Sequence, residues 1–99
     1  MSLEFEWDPA KSESTFQDRG IDFAYACRVF LGPVHESPAD RDGELRTRAI
    51  GWIEGKFYTV IYTVRGVNRY RIISARRARP NEERAYRALY PAQPPAWPD

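Results

Sequence analysis

The 99-residue sequence contains one cysteine, Cys27, one histidine, His35, and one methionine. A single thiol excludes an internal disulfide framework and a cysteine-built zinc site, and it suits a reducing cytosol. One histidine and no EF-hand-like acidic loop leave no recognisable metal site. A phosphate-cradling glycine loop and a nucleophile elbow are both missing, so no cofactor is expected. No stretch approaches the roughly 20 apolar residues of a membrane span. The first eight residues carry Glu4, Glu6 and Asp8 without lysine or arginine, unlike a secretory signal. These absences describe a small soluble cytoplasmic domain with no membrane partner.

A hydrophobic fraction of 42% with 14% aromatic supports one modest core rather than two. The formal net charge of +1 conceals a strong asymmetry. Residues 1–44 carry 4 basic and 10 acidic side chains, whereas residues 45–79 carry 9 basic and 1 acidic. Six arginines lie between Arg65 and Arg79 with no acid among them. Arginine stays charged and grips phosphate with two parallel hydrogen bonds, so the segment suggests nucleic acid or an acidic protein partner. A solvated face balanced by the acidic N-terminal half is the plainer alternative.

Leu3, Phe5 and Trp7 alternate with Glu4 and Glu6 as in a half-buried strand. Asp8-Pro9 then reads as an N-cap and a first helical residue, with Gly20 as the left-handed stop. Asp22 opens a second helix whose Phe23, Ala26, Cys27 and Phe30 share one apolar face. Pro33 to Leu45 reads as an exposed loop. Strands follow over 47–54, 57–65 and 69–76, turning at Gly55-Lys56 and at Gly66-Val67-Asn68. A last helix opens at Pro80-Asn81-Glu82-Glu83, with Asn81 as its cap, and stops at Pro91. The expected fold is α+β, with two N-terminal helices packed on a four-stranded antiparallel sheet and a C-terminal helix. Residues 1–90 form the domain, and the proline-rich tail, 91–99, reads as extended or disordered.

Four blocks carry a family resemblance: Phe5-Glu6-Trp7-Asp8-Pro9-Ala10-Lys11; Gly20-Ile21-Asp22-Phe23 with Ala26 and Val29-Phe30; Tyr62-Thr63-Val64-Arg65-Gly66; and Arg71-Ile72-Ile73-Ser74-Ala75-Arg76-Arg77-Ala78 followed by Glu83-Arg84 and Tyr86. In order and spacing they resemble the BrnT toxins. The resemblance implies a RelE/ParE-like fold and a ribonuclease toxin of a type II toxin–antitoxin system that inhibits translation. It also implies a small DNA-binding, BrnA-like antitoxin as partner, with operator DNA contacted only through that antitoxin. The chain departs from the family at Asp18-Arg19, where a Lys-His pair is usual. Arginine can hold a phosphate there, but it cannot carry a proton near neutral pH.

RNA can be cleaved without metal when its own 2′-hydroxyl attacks the adjacent phosphate, provided the protein aligns the groups and stabilises the charge. The candidates for catalysis are Arg65 and Arg76, at strand ends, with Tyr62 and Lys11. Arg19, Arg48, Arg71, Arg77 and Arg79 are candidates for binding RNA. Strict alternation places Tyr70, Ile72, Ser74 and Arg76 on one face and Arg71, Ile73, Ala75 and Arg77 on the other, leaving the choice of face open. Each candidate has a plainer role: Arg76 and Arg77 as ion-pair partners of Glu83 or upstream carboxylates, Tyr62 as core, Lys11 as solvated surface. His35 lies outside the matching blocks, and Cys27 belongs to an apolar helix face. Two other functions stay open. One is a non-catalytic module that retains antitoxin assembly and operon control; the other is a related toxin acting on gyrase.

Overall fold

The computed structural model describes residues 2–91. Strand β1 is Glu4–Glu6, and helix α1 follows over Pro9–Arg19. Asp8 accepts the Ala10 N–H at 2.9 Å, Pro9 occupies the first turn, and Gly20 closes the helix at φ 78°. Asp22 caps α2 by accepting the Tyr25 N–H at 2.8 Å. The expected second helix is corrected here. Only Phe23–Ala26 is α-helical, and the chain tightens into a 3₁₀ turn over Cys27–Leu31. That turn seats Val29, 1% exposed, directly on Gly51 of the sheet. A Cβ at Gly51 would lie 2.6 Å from the Val29 Cβ, so glycine permits the approach.

Strands β2 (His35–Pro38), β3 (Thr47–Ile53), β4 (Lys56–Arg65) and β5 (Arg69–Arg77) precede α3, Pro80–Leu89. The sheet order is β1-β5-β4-β3-β2. The expected four-stranded antiparallel sheet is therefore corrected to a five-stranded mixed one. β1 runs parallel to β5, pairing Glu4 with Arg69 and Glu6 with Arg71. Alternation in Leu3 to Trp7 tells which side is buried, but carries no information on the neighbour or its direction. The added strand, β2, lies in the segment that reads as a loop. It is an edge strand, where Pro38 is tolerated because one side of its backbone needs no ladder partner. The tail expected over 91–99 lies outside the described residues beyond Pro91.

Both faces of the sheet are covered, unequally. Phe23, Ala26 and Val29 pack with Ala49, Tyr58, Val60, Tyr62, Ile72 and Ala75 beneath the N-terminal helices. On the opposite face Tyr86 of α3 packs with Ile50 and Phe57. A bulge sets which arginines go where. Ile61 pairs with Ser74 but Tyr62 pairs with Ile72, leaving Ile73 as an extra residue. The simple alternation along β5 is thereby corrected. Tyr70, Ile72, Ala75 and Arg77 share the helix-covered face with Tyr58, Val60 and Tyr62, while Arg69, Arg71, Ser74 and Arg76 share the α3 face.

Candidate active site

On the α3 face the centre is Glu82, whose side chain is only 8% exposed. Arg76 donates to both of its carboxylate oxygens, at 2.8 and 2.9 Å. The Thr59 hydroxyl donates to Oε1 at 2.8 Å, and the Arg79 backbone N–H donates to the same oxygen at 2.9 Å. These donors, Arg76 foremost, hold the carboxyl down at about 2. Arg48 Nε lies 3.7 Å from Glu82 Oε2, and Arg48 Nη1 donates to Ser37 Oγ at 3.4 Å. The cap of α3 is thus Arg79, with Glu82 reaching back to its N–H, rather than Asn81. Sequence reasoning weighed Glu83 and missed Glu82. The signal was its place three residues after the cap, the capping-box position.

Further along this face the arginines stitch the edge strand. Arg69 pairs with Glu4 at 3.0 Å and Arg71 with Glu6 at 2.9 Å. Four of the six arginines proposed from strands β3 to β5 and the Arg79 turn, Arg48, Arg71, Arg76 and Arg79, therefore contact acids or cap a helix around them. Arg65 is exposed and has no carboxylate partner among the described residues. It pairs in register with Arg69, whereas Arg77 pairs with Tyr58. The two ends are separated by seven residues of β4, roughly 23 Å.

The helix-covered face ends differently. Arg19, last residue of α1, reaches across to β5 and donates Nη1 to the Ala75 carbonyl at 2.8 Å. Two residues on, Arg77 lies over the Tyr58 ring, 5.7 Å from its centroid. Neither guanidinium meets a carboxylate among the described residues. Beside them opens a cleft of ≈ 280 Å³ lined by Phe16, Gly20, Ile21, Asp22, Tyr25 and Tyr58. The Tyr25 hydroxyl donates to Glu54 at 2.9 Å, and burial with that carboxylate pushes it up to about 12, so it stays protonated.

Of the remaining candidates, Tyr62 is buried on the helix-covered face. It stacks on Tyr70 at 4.0 Å and donates its hydroxyl to Glu36, an arrangement that raises it well above the ordinary tyrosine range, chiefly through burial. Lys11 is exposed on α1. His35 pairs in register with Ile50 on the α3 face, remote from Arg19 and Arg77. The structure therefore anchors Arg19 to β5 two residues from Arg77, and separately gathers Arg48, Arg76 and Arg79 around Glu82.

A family model described as the ribonuclease toxin BrnT of type II toxin–antitoxin systems matches residues 7–82. The chain belongs to the BrnT family. The crystal structure of the Brucella abortus ribonuclease toxin BrnT superposes with a TM-score of 0.65, at 29% identity, covering 79% of this chain and 99% of that one. No curated protein matches the sequence. The BrnT match contains the Glu82 cluster, Arg19, Arg77 and every residue of the cleft. It stops at Glu82, inside the first turn of α3. Membership of a type II family implies an antitoxin partner.

Proposed function

We propose that this BrnT-family chain is a metal-independent endoribonuclease that inhibits translation and uses Arg19 and Arg77 to hold the scissile phosphate. The observation that carries this reading is the distribution of charge compensation. Arg48, Arg69, Arg71 and Arg76 lie against Glu4, Glu6 and Glu82, whereas Arg19, bonded to the Ala75 carbonyl, and Arg77, two residues further along β5, have no carboxylate partner among the described residues. An arginine already neutralised by a buried acid gives a phosphate little; an uncompensated pair attracts it.

The RNA 2′-hydroxyl attacks the adjacent phosphorus and the 5′-oxygen leaves, giving a cyclic 2′,3′-phosphate and a 5′-hydroxyl. The proton lost by the nucleophile goes to solvent, and water protonates the leaving oxygen. The two guanidiniums stabilise the charge that develops on the phosphoryl oxygens. A BrnA-like, DNA-binding antitoxin would neutralise the toxin and carry the complex to operator DNA.

Asp18-Arg19 in place of the family's Lys-His pair favours a second reading, a module that retains antitoxin assembly without catalysis. Cleavage of purified RNA by the refolded, antitoxin-free protein in EDTA separates the two. The enzyme reading expects cleavage that Arg19→Ala and Arg77→Ala each abolish. A folded but inert protein, beside an active family member, supports the module.

A further inference from the structure

We infer that the cleft between α1, α2 and β4 is a binding site for one unpaired nucleobase carrying an exocyclic amino group, adenine or cytosine before uracil. This rests on the reading of Arg19 and Arg77 as phosphate contacts. The first support is an apolar surface left uncovered. Phe16 is 49% exposed, although it lines the cleft and could have been buried at a gain. A half-exposed phenyl one turn before Arg19 on α1 is a platform on which a base can stack, since every base has a π-face.

The cleft floor is rigid. Tyr25 and Tyr58 meet edge to face at 5.9 Å and 85°, and Tyr25 is fixed by its hydroxyl on Glu54. Arg28 lies 5.2 Å above the Tyr25 ring and is paired with Glu54, while Arg77 lies over Tyr58. The wall by α1 is open because Gly20 carries no side chain and nothing stands within 4 Å of where one would point.

Asp22 gives the site its selectivity. Its Oδ1 accepts the Tyr25 N–H, which leaves Oδ2 with no hydrogen bond among the described residues. One unpaired carboxylate oxygen matches one amino hydrogen, such as cytosine N4 or adenine N6. Uracil offers N3–H, but flanked by two carbonyl oxygens that face the same carboxylate. A base seated here has its own phosphates beside Arg19 and Arg77, so base and phosphate contacts belong to one strand.

The test is equilibrium binding of 2′-fluoro hexamers, which lack the nucleophile, as A, C, U and abasic versions. Adenine and cytosine hexamers should bind about tenfold tighter than the abasic one, with uracil between. Phe16→Ala, at an exposed position, should reduce them to the abasic level. Asp22→Asn, which keeps a good helix cap, should erase the preference over uracil. Equal binding of all four hexamers would overturn the base site while leaving the phosphate contacts standing. No binding by any hexamer at low salt, with folding verified, would overturn the RNA reading and this inference with it.

Discussion

Glu82 takes the guanidinium of Arg76 on both carboxylate oxygens, six residues away in sequence and across the gap between β5 and α3. The pair fastens the last helix to the sheet, and it withdraws from solvent the arginine that strand-end position alone makes attractive for catalysis. Burial also makes the pair a sensor of proton concentration.

The Glu82 carboxyl lies at about 2, below its ordinary 4.5. A depressed folded value stabilises the protein fully above 4.5 and ceases to do so as pH falls towards 2. The contribution at neutral pH is on the order of 3 kcal/mol. Urea midpoints of wild type and Glu82→Gln should differ widely at pH 7 and converge between pH 4 and 2. A gap that stays constant over that window would show that ionisation of Glu82 is irrelevant.

Gly51 and Val29 are a packing pair. Gly51→Ala places a methyl 2.6 Å from the Val29 Cβ and should destabilise the fold by about 1–3 kcal/mol. Val29→Gly removes that Cβ, so Gly51→Ala should cost less in a Val29→Gly background than in wild type, a coupling that a double-mutant cycle on urea midpoints measures. Additive effects would mean that the two side chains do not meet.

Salt dependence distinguishes the arginines. Each phosphate contact to a single strand contributes about 0.7 to the slope of log affinity against log salt. Arg19→Gln and Arg77→Gln should each lower the slope by about that much. Arg76→Gln should instead lower the urea midpoint, because it leaves Glu82 a buried carboxylate without its main partner.

Cys27 packs against the core, and burial pushes its thiol up to about 12. Alkylation at pH 8 should be slow in the native protein and should accelerate in step with unfolding by urea. Fast native labelling would contradict the packed position.

Local chemistry was readable where a few neighbouring residues decide it. Asp8, Pro9 and Gly20 define the ends of α1, and the β-branched and aromatic run from Phe57 to Val64 defines β4. What could not be read depends on partners distant in sequence. β2 has two charged or titratable residues and a proline in four positions, and it is a strand only because β3 offers it an edge. The direction of β1 is set by Arg69 and Arg71, some 65 residues away. The same holds for the site. The six arginines between Arg65 and Arg79 are conspicuous in sequence, but which of them are neutralised depends on the extra residue at Ile73 and on Glu82. Arg19 entered as one RNA contact among five, and only its reach to Ala75 joins it to Arg77.

The parallel pairing of β1 with β5 has a consequence for synthesis. Glu4 and Glu6 have their places in the sheet opposite Arg69 and Arg71. A chain emerging from the ribosome therefore carries its first strand unpaired until residue 71 is outside, while the helices and the meander before it are free to form. The strand made first is the one that closes the sheet.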